Sequence, residues 1–399
     1  MPFVREELLT HALAPHYETL RRIPNRRVLE KSELFQTVRP DLERILNGVE
    51  RCDAVPSPSQ FGDRLKVVAW NIQRGQKLES LIRAFERDEN LAQADVLLLC
   101  EVDCGMARSH NRNVARSLAD RLNMSYAFGV SYLVLEDDIG ENPDHQANTL
   151  ALAGSAVLSR LPLGRVINVD VPELRDKFSS SEKRLGKKRA LVAEVLHSSG
   201  KMAVAACHLD SNASSSQRAE QLRSIIDAAE SLGHSRVLLG GDLNTTTYDV
   251  SSGFALVRNL LHKVFTLGFA GAIAHYLTPE KRYERPIFEL LTARHYQLDG
   301  YNDRAHGTMN FDLNDPYAIE KTRRHVGRFF TALLIRLLRP WNGCVPAKLD
   351  WFAGKGLLPA APRVVDPRDD SGRPASDHAA IVVELLLSSA AAPGAHEGI

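Results

Sequence analysis

Polar residues close several apolar runs of this chain, and their types suit one kind of chemistry. Asn71 ends "LKVVAWN", Glu101 ends "ADVLLLCE", and His208 lies near the end of "KMAVAACHLD". Asp242 and Asn244 close "RVLLGGDLN", while Asp350 and the pair Asp377–His378 follow in "KLDWF" and "SDH". Residues i and i+2 of a strand face the same side, so Asp242 and Asn244 can enter one pocket. An adjacent Asp and His suit an acid that orients or tunes an imidazole. The set offers carboxylates for a hard cation, amide and imidazole donors for an anion, and a histidine for proton transfer. That is the inventory of metal-assisted hydrolysis of a phosphate ester. Singly, each position also has an ordinary reading. Asn71 could be a turn residue, Glu101 a strand exit, His208 a core histidine, Asp242 and Asn244 an Asx turn, and "SDH" a cap.

The elements that must position these residues alternate in type. Short apolar runs at 65–71, 94–101 and 236–244 read as strands. Residues 155–171 read as two strands about a Leu-Pro-Leu turn, and 189–196 with 201–210 as a hairpin around "HSSGK". Helical spacing of apolar residues marks 78–91, 113–124 and 216–232. Short turns between neighbouring strands argue against a pure parallel series, so a mixed sheet arrangement with helices outside is expected. Residues 1–60 read as a helical N-terminal extension, 61–388 as the catalytic domain, and 389–399 as a disordered tail. A helical insert at about 250–345 breaks the strand rhythm.

Bulk properties narrow the class. With 399 residues, 44% hydrophobic, the chain can build one large core or two smaller ones. A net charge of +1 gives no global field toward nucleic acid or anionic membrane. Five cysteines are few and odd for this length, which argues against a disulfide framework. The N-terminal "MPFVREELLTHALAPHYETLRR" lacks the apolar core of a signal peptide, and no window reaches the ~18 uncharged apolar residues of a membrane span. A cytoplasmic setting is expected.

The ordered motifs "WNIQRG", "LLLCEVD", "GSAVLSRLPL", "ACHLD", "GGDLN", "LDWF" and "SDH" resemble the endonuclease/exonuclease/phosphatase superfamily from about Leu65 to Leu387. The resemblance implies an α/β fold of α+β four-layer type, with two mixed β-sheets packed face to face and helices outside. It implies Glu101 as the principal Mg²⁺ ligand, with Mn²⁺ as a substitute ion, assisted by Asn71. Asp242 would align or deprotonate the attacking water, and Asn244 would hold the phosphate. His208 and His378 would flank the scissile phosphate. Asp377 is implied as an acid beside the last histidine and a further metal ligand, and Asp350 as a carboxylate that orients it or contacts metal. The family offers more than one reading of the general base.

The substrate is less legible. The Trp-Cys-Asp-Arg run of inositol 5-phosphatases is absent, and "WNIQRG" and "CEVD" depart from the apurinic endonuclease pattern. The phosphoester is therefore expected to be nucleic acid, with a lipid headgroup as the rival. The stretch "KFSSSEKRLGKKR" (177–189) holds six Lys/Arg and one acid, and Arg189 is the member expected to face the pocket. Asn212, just past "ACHLD", is assigned to substrate with it. Two segments, 252–277 and 321–339, leave open a peripheral membrane or partner contact. The second carries six Lys/Arg and no acid. A catalytically silent binding protein on the same fold is the reading from another class.

Overall fold

Strands buried on both faces decide the architecture of the computed structural model, which describes residues 3–54, 62–136, 146–173, 175–180, 182–246, 253–314 and 316–387. The tail expected from 389 lies outside them. The chain opens with β1 (Phe3–Glu7), α1 (Tyr17–Arg22), α2 (Arg26–Glu30), α3 (Glu33–Leu46) and β2 (Val49–Ala54). There follow β3 (Arg64–Arg74), α4 (Leu78–Arg87), β4 (Val96–Cys104), α5 (Val114–Leu122), β5 (Ser125–Val134), β6 (Leu152–Ser159) and β7 (Leu163–Asp170). Next come β8 (Arg184–Gly186), β9 (Arg189–His197), β10 (Gly200–His208), α6 (Ser215–Ser231) and β11 (Val237–Asp242). The last part holds α7 (Gly253–His275), α8 (Arg285–Ala293), β12 (Met309–Asp312), α9 (Pro316–Leu337), β13 (Cys344–Ala347), β14 (Asp350–Lys355), β15 (Leu358–Val365) and β16 (Ala380–Leu386).

Among the described residues the larger sheet has nine strands, in the order β1-β2-β5-β6-β4-β3-β16-β15, with β8 added on β5. The smaller has five, in the order β14-β11-β10-β9-β7. In β3, Val67 and Ala69 face the smaller sheet, while Val68, Trp70 and Ile72 face the helices. In β10, Val204 and Ala206 face inward, and Ala203 and Ala205 face outward. This period of two lets each sheet bury both faces. Helices α1 to α5 cover the larger sheet through residues such as Leu20, Ile45, Phe85 and Leu118. Helices α6 and α8 cover the smaller one through Leu222, Ile226, Ile287 and Leu291. Ser214 and Gln217 cap α6 reciprocally, fixing where that cover begins. The result is four layers, helix–sheet–sheet–helix, as the sequence implied.

The first residues depart from the helical expectation. α1 to α3 are present, but β1 and β2 extend the larger sheet beyond β5. β6 and β7, joined by the Leu-Pro-Leu turn, belong to different sheets, so that turn carries the chain across the interlayer. The 250–345 region is helical only in part. β12 and β13 form their own two-stranded ribbon, and α8 packs with α6 rather than in the small core of α7 and α9. α7 and α9 gather a small core of Ile273, Tyr276, Leu313, Leu338 and Val345. Each breaks at a glycine of positive φ: Gly268 at 70° and Gly327 at 82°.

Candidate active site

Strand ends from both sheets meet at one edge. β3 and β4 run parallel and pair Asn71 with Cys100. β10 and β11 run parallel and pair His208 with Asp242. β14 is antiparallel to β11 and sets Asp350 opposite Asp242. Glu101 sits where the ladder is irregular: pairing shifts between Leu99 and Val102 on one side and between Asn71 and Arg74 on the other. Its φ is 52°, and that of Asn244 is 50°. Non-glycine residues in this region are strained and persist only when their surroundings hold them. An irregularity of this kind re-aims a side chain away from its regular face.

Asp242 is the hub. Asn71 Nδ2 donates to its Oδ2 at 3.3 Å, and Asn244 Nδ2 donates to the same oxygen at 3.1 Å. The Asn244 backbone N–H donates to Oδ1 at 2.8 Å. His208 Nε2 stands 3.6 Å from Asp242 Oδ2 and 3.9 Å from Glu101 Oε1. His378 Nε2 stands 3.9 Å from Asp242 Oδ2, and its Nδ1 lies 2.8 Å from Asp350 Oδ2. Trp70 Nε1 donates to the His378 carbonyl at 2.7 Å, and Ser376 Oγ donates to the Asn71 carbonyl at 2.7 Å. Thr308 Oγ1 accepts from the Asp350 N–H at 3.1 Å. The imidazole of His378 is thus fixed from its carbonyl, its ring and the strand carrying its partner.

These contacts separate the charges of the two histidines. Burial alone would lower His378, but the facing carboxylates of Asp350 and Asp242 override it and hold the imidazole well above its usual range. His208 goes the other way: burial and the nearby Lys188 lower it to about 3. One ring is therefore an imidazolium and the other neutral near pH 7. Asp242 is pushed up, chiefly by burial and further by Asp350, against the pull of His378. Burial would also raise Glu101, yet His208, Arg74 and Lys188 outweigh it and bring that carboxyl down to about 2.

Glu101 and His208 line a cleft of about 320 Å³, together with Arg74, Lys177, Lys188 and Asp210. Lys177 Nζ pairs with Asp210 Oδ2 at 3.0 Å. Both residues expected at the substrate lie at this cleft. Asn212 lines this cleft. Arg189 begins β9 as expected and lines the cleft too, with its guanidinium engaged by Asp170 Oδ1 at 2.7 Å and Asn47 Oδ1 at 2.8 Å. Lys188 is the cation of that stretch whose charge reaches Glu101, Asp242 and Asp210. Asp377 occupies an exposed position, accepts from Ser376 Oγ at 3.3 Å, and is coupled electrostatically to His378 and Glu101. Arg74, Asp210 and Ser376 lie inside the quoted motifs and Lys188 inside the basic stretch without a role of their own being assigned, because those roles depend on which loops the two sheets bring together.

Residues 68–378 match the model of the Endonuclease/Exonuclease/phosphatase family. The chain belongs to that family. Members of the family are metal-dependent hydrolases of phosphoric esters, so the protein is an enzyme of that class. Among solved structures it is similar to an endonuclease/exonuclease/phosphatase from Beutenbergia cavernae DSM 12333, with 18% identity over 81% of this chain and 72% of that one, TM-score 0.49. It is also similar to a family protein from Leptotrichia buccalis C-1013-b, with 15% identity over 80% and 99%, TM-score 0.44. A 3'-5' exonuclease from Neisseria meningitidis gives 14% identity over 80% and 99%, TM-score 0.44. Among curated proteins none matches.

Two groups at this edge could hold the family's metal. Glu101 is ionised and partly exposed in the cleft, with the Asn71 amide on the neighbouring strand. Asp242, Asp350 and His378 offer ligand atoms within 4.8 Å of one another. The second group is closed around its own proton, with Asp350 Oδ2 committed to His378 Nδ1. Mg²⁺ prefers oxygen ligands and keeps several waters, which fits the open carboxylate better than the buried imidazole cluster.

Proposed function

We propose that this chain is a Mg²⁺-dependent phosphodiesterase of nuclease type, working by in-line attack of water on the phosphorus. The observation that carries the reading is the Asp242 hub, which shares one edge with a protonated His378, a neutral His208 and an ionised Glu101. Glu101, with Asn71, would hold the cation, whose chemistry is to neutralise charge on the phosphoryl oxygens. Asp242 orients the water and accepts its proton, and its raised affinity for protons suits that task. Asn71 and Asn244 fix the carboxylate by donating to both of its oxygens. His378, charged by Asp350, donates to a phosphoryl oxygen as negative charge grows there. Neutral His208 retains one ring N–H for the same anion. Lys188 and Arg74 on the cleft wall suit the remaining phosphate charge of a polyanion. A cytoplasmic setting accompanies this reading.

The test is a panel of single- and double-stranded DNA, RNA and lipid phosphodiesters, run with Mg²⁺ and with EDTA. Mg²⁺-dependent cleavage of a nucleic acid that Asp242→Asn abolishes supports the proposal. Equal turnover by wild type and Asp242→Asn on every substrate sinks it. A lipid phosphodiester is the second reading, favoured by the apolar, basic surface of the insert.

A further inference from the structure

We propose that the outer face of α7 and α9 docks this protein on an anionic lipid surface. Leu261 and Phe265 on α7, and Phe329, Phe330, Leu333 and Leu337 on α9, are exposed. Phe265 and Phe329 are 86% and 77% exposed, the highest among the large apolar residues described. Phe330, Leu333 and Leu337 recur at i, i+3 and i+7, the spacing of one helix face. The inward side of α9 is already filled: Leu334, Ile335 and Leu338 pack in the small core with Ile273 of α7. The outer stripe is therefore surplus to folding. Isolated exposed apolar residues are ordinary, whereas a stripe along one face of α9, with further exposed apolar residues on the helix α7 that packs with it, is not.

Charge identifies the occupant. Residues 253–275 contain no acid, and 321–339 contain six Lys/Arg and no acid. Arg258, Arg328, Arg336 and Arg339 are exposed, and among the described residues no acid lies within ion-pair distance of them. Among the described residues, Glu320 answers Arg323 and Arg324. Apolar stripes flanked by unanswered cations complement acyl chains beneath anionic headgroups. A second copy is a poor match, because a two-fold contact would set arginines against arginines. No helix among the described residues is long and apolar enough to cross a membrane, so the element lies on the surface.

The docking element is tied to the rim of the active site. The Lys348 N–H donates to the Tyr276 carbonyl at 2.9 Å, just past α7. Met309 of β12 bridges to His378, and the Ala379 N–H donates to the Thr308 carbonyl at 2.7 Å. Docking would therefore hold the site beside the lipid surface.

Flotation of the full chain with phosphatidylcholine vesicles, with and without phosphatidylglycerol, tests this by binding alone, so a failed catalytic reading leaves it standing. The wild type is expected to float with the anionic vesicles and to be released as salt rises. Phe265→Ser and Phe329→Ser should each lower partitioning by at least about tenfold. Arg328→Glu and Arg336→Glu should each lower it by about fivefold or more, on anionic vesicles only. Circular dichroism of these exposed-site variants should match wild type. Equal, weak binding to both vesicle types overturns the proposal, as does binding indifferent to all four substitutions. So does a wild-type dimer that the phenylalanine variants make monomeric, in the absence of vesicle binding.

Discussion

Replacing Asp350 by Asn keeps the shape of the buried pair and removes its charge. Asp350 is fully buried, and its Oδ2 lies 2.8 Å from His378 Nδ1. Two costs are conceivable. Losing a charge-assisted hydrogen bond costs about 1.5–3 kcal/mol. Stranding a buried charge costs about 3–5 kcal/mol. The smaller figure governs, because His378 can release its proton once Asp350 no longer holds it. The imidazole of the variant then carries no charge near neutral pH, and an asparagine amide facing Nδ1 favours the wrong tautomer. Turnover should fall by about 10²–10⁴-fold, the usual worth of a positioned proton donor. The pH dependence has a definite sign. The folded pKa of His378 lies above its ordinary 6.5, so its stabilising contribution is complete below that value and fades as pH rises through the folded pKa. In Asp350→Asn the alkaline limb of the rate profile should move to lower pH, and the stability gap to wild type should narrow in alkali. Rates on a chromogenic phosphodiester across pH, with urea unfolding in acid and alkali, read both effects. A variant with near-normal turnover and an unmoved alkaline limb refutes the reasoning. A large rise in the Mg²⁺ needed for half activity would refute the separation of Asp350 from the cation.

Glu101→Gln should raise the Mg²⁺ requirement and reduce turnover by at least about a hundredfold, measured by metal titration at saturating substrate. Lys188→Ala should raise KM about tenfold by removing one charge-assisted contact to the phosphate, with an intact melting curve. Arg189→Ala should leave KM unchanged and cost about 1 kcal/mol in urea unfolding, a small loss because its partner Asp170 is half exposed. Gly241→Ala should cost at least about 2 kcal/mol, since φ is 134° and a Cβ would come within 2.2 Å of the Cys207 carbonyl oxygen. Its turnover should fall as well, because Asp242 follows directly.

The strands were legible because continuous apolar runs such as Val67 to Trp70 mark strands buried on both faces, while the face each residue takes, Val67 and Ala69 against Val68 and Trp70, appears only in the packing. The motif residues were legible because each closes an apolar run, and the closure survives folding. Which residues share a cleft was harder. Lys188 and Arg189 are equivalent as letters and both line the cleft, and only the folded chain shows the Arg189 guanidinium already engaged by Asp170 and Asn47. Asp210 and Lys177 meet across a loop whose path no local periodicity dictates. β1 and β2 were read as part of a helical segment because β2, "VERCDA", mixes charge with apolar residues, and its pairing with β5 buries even Glu50. The insert divided for a similar reason: α8 has the same apolar content as its neighbours, but its Ile287 and Leu291 find the face of α6.

Gly240 lies two residues before Asp242, Phe352 two after Asp350, and Leu98 three before Glu101. A Cβ on Gly240 would lie 2.6 Å from the Phe352 ring and 2.8 Å from Leu98. The distance between the carboxylates of the two sheets is therefore an interior dimension, set by how closely ring, leucine and bare backbone stack between the layers. Interiors packed at crystal-like density transmit a methyl group's worth of strain rather than absorbing it. A substitution at Gly240 would widen the span between Glu101 and Asp242 without altering any polar group of the site. The reach of the chemistry is a tolerance of the hydrocarbon beneath it, and a neutral-looking core change can retune it.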